Sequence, residues 1–92
     1  SLPKIDLMLQ WGVVKEGDTI VAKGKGDEGT LLSNGNVFVN GEEKSMQAWL
    51  KAIYEWSSVQ TYVFALLKET GKTLSQIREE YMEKLEKENT EL

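Results

Sequence analysis

The side chains that could do chemistry in this chain are carboxylates, hydroxyls and amines, because the sequence contains no histidine and no cysteine. Imidazole acid–base catalysis, thiolate chemistry and the usual zinc, iron and copper ligand sets are therefore excluded. The segment Gly24-Lys25-Gly26-Asp27-Glu28-Gly29 matches the G-x-G-x-x-G spacing that brings backbone amides close to a pyrophosphate. Pyrophosphate binding requires a helix after the glycines. Because a strand is predicted there instead, we interpret the segment as a flexible hairpin turn.

The other candidate reactive groups also lack their partners. Gly71-Lys72-Thr73 is similar to the end of a phosphate-binding loop, but Leu66 occupies the position where that loop requires another glycine. Ser57-Ser58 has neither a histidine base nor the Ser-x-x-Lys spacing of some hydrolases. Three acidic pairs lack calcium-loop spacing and are expected to be solvated charges: Asp27-Glu28, Glu42-Glu43 and Glu79-Glu80. We therefore predict a protein that is not an enzyme and binds no cofactor and no metal.

The composition predicts one soluble domain. Of the 92 residues, 40% are hydrophobic and 28% are charged, and the aromatic residues are numerous enough to anchor a core. No run approaches the roughly 20 apolar residues of a membrane span, so we predict no membrane partner. The lack of cysteine fits a reducing compartment, and we predict an intracellular chain. The net charge of −4 is concentrated at the end, where residues 73–92 hold three basic and six acidic side chains. We assign residues 1–86 to the domain and residues 87–92 to a polar C-terminal tail.

The first half of the chain predicts a short helix and three strands. Pro3 suits a first helical turn and Gly12 a helix end, so residues 3–11 are predicted as a helix. β-Forming side chains are concentrated in residues 19–22, 30–32 and 37–39. Asn34-Gly35 lies between the second and third of these segments and predicts a hairpin, because both residues tolerate the positive φ of a type I′ turn. Asn40-Gly41 is predicted to end the sheet.

The second half predicts two helices around an ambiguous segment. Ser45 can cap a helix whose apolar stripe should lie on the sheet: Met46, Trp49, Leu50 and Ile53. In residues 59–67, β-branched and aromatic side chains favour a strand, whereas Ala65-Leu66-Leu67 favours a helix, so both states stay open. Thr73 and Gln76 form a capping-box pattern before a final helix with the apolar positions Leu74, Ile77, Tyr81 and Leu85. The predicted fold class is α+β: a small antiparallel sheet of three or more strands packed against helices, with a C-terminal amphipathic helix.

Two aromatic residues are candidates for binding. Trp49 lies on the apolar helix stripe and is predicted to be in the core. Trp56 and Tyr62 lie outside that periodicity and could stack on a nucleobase or anchor a peptide. The alternative is that both rings serve the core, since a small domain needs most of its aromatic residues there.

The order of these features resembles the RAMA domain, the restriction enzyme and adenine methylase associated module that occurs beside DNA-modification enzymes and in some chromatin proteins. The similarity extends to about Tyr81 and consists of short motifs. In chain order these are Trp11-Gly12-Val13-Val14, Glu16-Gly17-Asp18, Gly29, Ser33-Asn34-Gly35-Asn36-Val37, the helix from Ser45 through Ala48-Trp49, Trp56-Ser57-Ser58-Val59, and Gly71-Lys72-Thr73-Leu74-Ser75-Gln76-Ile77-Arg78. The stretch between Trp56 and Gly71 is longer than that pattern.

The resemblance implies a non-catalytic module of a nuclear, chromatin- or DNA-associated protein that recognises DNA, with methylated DNA as one form of the ligand. The hairpin edge, the segment after Trp56 and nearby lysines would make the contacts. The candidate site residues are Lys23, Lys25, Asn34, Trp56, Ser57, Ser58, Tyr62 and Lys72. The acidic net charge argues against strong phosphate binding. The alternative function is therefore a protein–protein interaction module that uses an apolar groove or the acidic C-terminal helix.

Overall fold

One antiparallel sheet and four helices make up the fold, which a computed structural model describes for residues 1–90. In chain order the elements are α1 (Ile5–Trp11), β1 (Thr19–Ala22), β2 (Glu28–Leu31), β3 (Val37–Val39), β4 (Glu42–Lys44), α2 (Met46–Tyr54), α3 (Thr61–Phe64), β5 (Ala65–Leu67) and α4 (Leu74–Thr90). The sheet order is β4-β3-β2-β1-β5, and every pairing is antiparallel. The predicted α+β class is confirmed, and the sheet has two more strands than the three that the sequence indicated.

The first helix begins at Ile5, two residues later than predicted. Lys4 precedes it in an extended conformation, with ψ −179°. The amide of Ile5 donates to the Tyr62 hydroxyl at 2.9 Å, so a side chain from α3 satisfies a free N–H group at the start of α1. Gly12 ends the helix with φ 77°, as its position in the sequence suggested.

The turn between β2 and β3 differs from the predicted type I′ turn. Only Gly35 of the Asn34-Gly35 pair has a positive φ, 88°. The Leu32 amide donates to the Asn36 carbonyl at 2.8 Å, and the Gly35 amide donates to the Leu32 carbonyl at 2.9 Å. These bonds enclose a three-residue loop, which needs one left-handed residue instead of two. The hairpin was therefore predicted correctly and its turn type was not.

The prediction that Asn40-Gly41 ends the sheet is wrong. Both residues have positive φ, 51° and 81°, and they join β3 to β4 in the tightest hairpin of the chain's described part. The strand that follows was missed because its sequence, Glu42-Glu43-Lys44, is entirely charged. Such a strand is suited to a sheet edge, where charged side chains face solvent and discourage pairing with other chains.

Residues 59–67 contain both a helix and a strand, in the reverse of the order that local propensity favoured. Thr61–Phe64, which is rich in β-formers, makes the short helix α3, whereas Ala65–Leu67 is the strand β5. Pairing with β1 explains the outcome, since β5 continues the sheet in the register Ile20↔Leu67 and Ala22↔Ala65. Ala65 and Leu67 are buried by this pairing, and burial outweighs their helix propensity.

The core lies against one face of the sheet. On β2, Gly29 and Leu31 are buried, while Glu28 and Thr30 on the opposite face are exposed. A Cβ atom placed on Gly29 would be 3.5 Å from a ring carbon of Trp49, so the α2 stripe packs directly on the sheet, as predicted. The largest fully buried side chains come from α1, α2, α4, the strands and the loop after α1: Met8, Val14, Ile20, Leu31, Val37, Leu50 and Leu74.

The last helix begins with the predicted capping box. The Gln76 amide donates to Thr73 Oγ1 at 3.0 Å, and the Thr73 amide donates to Gln76 Oε1 at 2.8 Å. Leu74 and Ile77 are buried, but Tyr81 and Leu85 are only half-buried. Residues 87–90 of the predicted tail continue α4, and residues 91–92 lie outside the described part of the chain. No helix within residues 1–90 combines the length and apolar character that crossing a lipid bilayer requires.

Candidate functional site

Three aromatic rings form a cluster at the surface: Tyr54 at the end of α2, Trp56 after it, and Phe64 at the end of α3. The rings of Tyr54 and Trp56 stack, with centroids 4.7 Å apart and planes 19° apart. Phe64 meets both edge-on, with centroid distances of 5.3 Å. Trp56 is 47% exposed, so this aromatic cluster holds a partly open indole ring against two supporting rings. Such packing fixes the ring in one orientation before any ligand arrives.

The end of α2 turns the chain so that Trp56 reaches the cluster. Glu55 has φ 57°, a left-handed conformation that non-glycine residues seldom adopt, and its amide donates to the Lys51 carbonyl at 2.9 Å. Gln47 then fixes the segment after Trp56. Its side chain accepts from the Val59 amide at 3.0 Å and donates to the Val59 carbonyl at 2.8 Å. The exposed Ser57-Ser58 pair thus lies between two anchored points.

The loop between β1 and β2 is tied to the aromatic cluster on two sides. The Tyr54 hydroxyl donates to the Lys23 carbonyl, and the Lys23 amide donates to the Phe64 carbonyl at 2.9 Å. Lys25 follows in the same loop, and its Nζ lies 6.0 Å from the centre of the Tyr54 ring, the outer limit of a cation–π contact. The backbone of Lys23 is therefore held against the cluster, and the exposed Lys25 ammonium lies near its Tyr54 ring.

The Tyr54 hydroxyl is a stable donor in this arrangement. Burial raises the pKa of Tyr54 above its ordinary value, and the negative charge of Asp27 raises it further. The phenol therefore stays protonated at neutral pH and keeps its bond to the loop. The proximity of Asp27 also shows that the surroundings of the cluster carry charges of both signs.

Five of the predicted site residues converge on this surface. Lys23 and Lys25 lie in the loop bonded to the cluster, Trp56 is its exposed ring, and Ser57-Ser58 directly follows that ring. Sequence analysis missed Tyr54 and Phe64. The spacing of Tyr54 and Trp56 at a helix end was a signal for the first, whereas Phe64 lay in the segment whose secondary structure was ambiguous.

Tyr62 makes its contacts elsewhere, with α1 and α4. Its hydroxyl accepts from the Ile5 amide, and the Arg78 guanidinium carbon lies 4.3 Å above its ring. Arg78 is 7% exposed and donates from Nη1 to the Pro3 carbonyl at 2.7 Å. Tyr62 therefore joins three segments of the fold, and its ring is already stacked on a cation.

Asn34 holds the β2–β3 turn. Its Oδ1 accepts from the Asn36 amide at 3.0 Å, and its Nδ2 donates to Glu43 Oε2 at 2.9 Å. Asn36 Nδ2 donates to the same carboxylate oxygen at 2.8 Å. These two amides, Asn36 more than Asn34, lower the pKa of Glu43 below its ordinary value.

We expect a pH-dependent contribution to stability from Glu43. Because the pKa of Glu43 is lowered in the folded state, its contribution to stability is complete above the ordinary glutamate pKa and is lost as pH falls through the lower folded-state pKa. An NMR titration of the Glu43 carboxyl should therefore give a midpoint below the ordinary one. In an Asn36→Ala variant the midpoint should rise. An ordinary midpoint in the unmodified chain would show that the two amides do not bind the carboxylate in solution.

Lys72 lies apart from the other candidate lysines. Its ammonium group contacts both carboxylate oxygens of Glu80 at 3.0 Å. Its carbonyl accepts from the Leu67 amide, so it is near the end of β5 that pairs with Ile20, whereas Lys23 follows the other end of β1. The candidate lysines consequently do not form one face: Lys23 and Lys25 lie in the loop beside the aromatic cluster, and Lys72 does not.

Neither a metal-binding cluster in residues 1–90 nor a similar known protein indicates the function. Among residues 1–90, no three acidic side chains converge in a way that could hold a metal ion. Comparison with models of known protein families yields no match, and a search of curated proteins also yields none. Function is therefore inferred from the sequence motifs and from the geometry of the aromatic cluster.

Proposed function

We propose that this protein is a non-catalytic, RAMA-like binding module of a nuclear chromatin- or DNA-associated protein, and that it contacts DNA through the aromatic cluster. The observation that carries the proposal is the half-exposed Trp56 ring, stacked on Tyr54 beside the loop of Lys23 and Lys25. An open aromatic ring near a loop that carries two lysines suits the two parts of a nucleotide, since the ring can stack on the base and a lysine can pair with the phosphate.

The geometry favours bases that are not already stacked. In an intact duplex both faces of each base are covered, so an exposed indole ring can stack only on a flipped, terminal or single-stranded base. Stacking of this type contributes about 1 to 3 kcal/mol per base. The module should therefore prefer single strands, or duplexes with a mismatch or an overhang, over perfectly paired duplexes.

Methylation of the base would increase the affinity by less than stacking does. A methyl group on the base enlarges the apolar surface that contacts the cluster, and burying it fully is worth about 0.8 kcal/mol, or about four-fold in affinity. Preference for methylated DNA is thus expected to be modest if the cluster alone reads the base. A larger preference would require that the protein also contacts the atoms around the methyl group.

Few phosphate contacts are available, because the net charge is −4 and two lysines flank the cluster. Two contacts to a single strand correspond to a slope of about −1.4 in a plot of log K against log salt. Binding should therefore be weak but only mildly dependent on salt. A much steeper slope would indicate that other cationic residues contact the DNA.

Fluorescence anisotropy with labelled oligonucleotides tests the proposal. Single strands, duplexes and overhang duplexes, each with and without methylated adenine, would be titrated at low salt. Trp56→Ala should weaken binding about five-fold or more, because it removes the stacking surface. Phe38→Ala is the matched control, since Phe38 is 46% exposed on the open face of the sheet, away from the cluster.

Equal losses in the two variants would show that exposed aromatic side chains contribute without regard to position, which contradicts the proposed site. The absence of binding to every oligonucleotide at tens of micromolar protein would remove the DNA hypothesis. Selective loss in Trp56→Ala would support it, provided that the variant keeps the circular dichroism spectrum of the unmodified protein.

A further inference from the structure

The second half of α4 carries an apolar surface that the fold leaves open. Two depressions flank the helix, and Met82 and Glu86 line both of them. The first depression, about 350 Å³, is also lined by Leu2, and the second, about 580 Å³, by Trp11 and Leu85. We call Leu2, Trp11, Met82 and Leu85 the α4 surface. Because Met82 and Glu86 line both depressions, the two depressions adjoin each other along α4.

The α4 surface is held in place by the fold. Arg78 donates to the Pro3 carbonyl at 2.7 Å, which fixes the N-terminal segment beside α4. Leu2, the residue before Pro3, is thereby kept next to the helix, with 60% of its side chain exposed to solvent. Trp11 packs on Tyr81 with ring centroids 4.6 Å apart. The apolar groups are therefore presented on a supported structure that needs little ordering when a ligand binds, which favours affinity.

The acidic side chains around the two depressions, which we call the acidic rim, indicate that a partner would be positively charged. Glu79 and Glu83 line the first depression, and Glu86 lines both. Over residues 73–90, α4 and its cap carry three basic and five acidic side chains, a net charge of −2. A second copy of this surface would bring like charges together, which disfavours self-association. A cationic segment would meet complementary charge.

We infer that the α4 surface binds a basic amphipathic helix of a partner protein. Apolar side chains one and two turns apart on such a helix would occupy the two depressions on either side of Met82, while lysine or arginine residues would pair with the acidic rim. This function goes beyond DNA binding, because the surface shares no residue with the aromatic cluster. The module would then join DNA on one surface to a basic protein segment on another.

A designed peptide tests the inference on the complete chain. The probe has about 18 residues, with leucine at i, i+3, i+4 and i+7 and lysine elsewhere. Titration into labelled protein should shift the NMR signals of Met82 and Leu85, and it should change the fluorescence of Trp11. A peptide of the same composition with dispersed leucines, and one with glutamate in place of lysine, should each bind at least about ten-fold more weakly.

Two double variants separate the apolar and the charged contributions of the α4 surface to peptide binding. Met82→Gln with Leu85→Gln should weaken peptide binding about ten-fold or more while leaving oligonucleotide binding unchanged. Glu83→Gln with Glu86→Gln should chiefly reduce the salt dependence of peptide binding. Thermal melts check that both double variants stay folded. Lys84→Gln is the control, because it changes the same helix but keeps the acidic side chains, and it is expected to bind the peptide as well as the unmodified chain does.

Three results would overturn the inference. One is the absence of shifts at about 1 mM peptide, a concentration that detects even weak complexes. Another is peptide binding that Met82→Gln with Leu85→Gln and Glu83→Gln with Glu86→Gln both leave unchanged. The last is concentration-dependent dimerisation of the chain that Met82→Gln with Leu85→Gln abolishes, since that would assign the α4 surface to a second copy. Failure of peptide binding with intact DNA binding would leave the proposed function standing.

Discussion

Trp49→Ala is expected to lower the free energy of unfolding by about 3 to 5 kcal/mol. Trp49 is 3% exposed, lies between α2 and the sheet, and fills the space above Gly29. Its removal would leave a cavity that the sheet cannot close, because Val37 and Val39 already pack around Gly29. Since small domains are stable by about 5 to 15 kcal/mol, the loss would be a large fraction of the total. Urea denaturation followed by circular dichroism measures it.

Trp56→Ala is the matched control for that experiment. It removes the same side chain from a half-exposed site, where only the stacking and edge contacts with Tyr54 and Phe64 are lost. We expect a destabilisation of about 1 kcal/mol. If both variants were destabilised equally, either the burial of Trp49 or the exposure of Trp56 would be incorrect. A stable Trp56→Ala protein is also the variant needed for the DNA-binding test.

Gly35→Ala is expected to destabilise the fold by about 2 to 5 kcal/mol. Gly35 has φ 88°, which is unfavourable for any residue with a Cβ atom. The added atom would also lie 2.5 Å from Cγ2 of Ile5. Ile5 is β-branched and in the first turn of α1, so its side chain has few alternative rotamers and the helix itself would have to move. A urea titration monitored by tryptophan fluorescence would measure the change.

Gly41→Ala separates the backbone strain of a positive φ from the steric clash with Ile5, the two contributions to the predicted effect of Gly35→Ala. Gly41 has a similar φ, 81°, but a Cβ atom there would meet nothing within 4 Å. This variant should show the backbone strain alone, about 1 to 2 kcal/mol. A Gly35→Ala variant no less stable than Gly41→Ala would contradict the close approach of α1 to the β2–β3 turn.

The features predicted well from the sequence are those that depend on neighbours in the chain. Ser45 caps α2 by accepting from the Ala48 amide at 3.1 Å, and Thr73 and Gln76 form the reciprocal bonds of a capping box. These contacts span three residues, so the sequence contains both partners at a recognisable spacing. The burial of Trp49 followed in the same way from the periodicity of one helix.

The features predicted poorly depend on distant partners. Ala65–Leu67 is a strand because β1 lies beside it, and nothing within residues 59–67 indicates that neighbour. The charged strand Glu42–Lys44 is stabilised by pairing with β3 and has no apolar alternation of its own. Propensity differences of a few tenths of a kcal/mol per residue are easily exceeded by sheet pairing and burial.

In the candidate site, too, residue types were predictable from the sequence, whereas the contacts between distant segments were not. Trp56 and the lysines of the β1–β2 loop were identifiable as residue types, but their proximity depends on hydrogen bonds from Tyr54 and to Phe64, which are far from the loop in sequence. Tyr62 was equally suitable by type, yet α1 and Arg78 occupy its hydroxyl and its ring. Accessibility distinguishes these two aromatic side chains, and it is a property of the assembled chain.

By itself, the sequence determined the α+β class, the caps of the long helices and the absence of imidazole and thiol chemistry, because each follows from residue identity or from spacing within one element. Only the tertiary structure decided which segment completed the sheet, which aromatic rings stayed open and which lysines lie beside them. Those outcomes depend on packing between segments tens of residues apart, where burial and hydrogen bonding outweigh local preference.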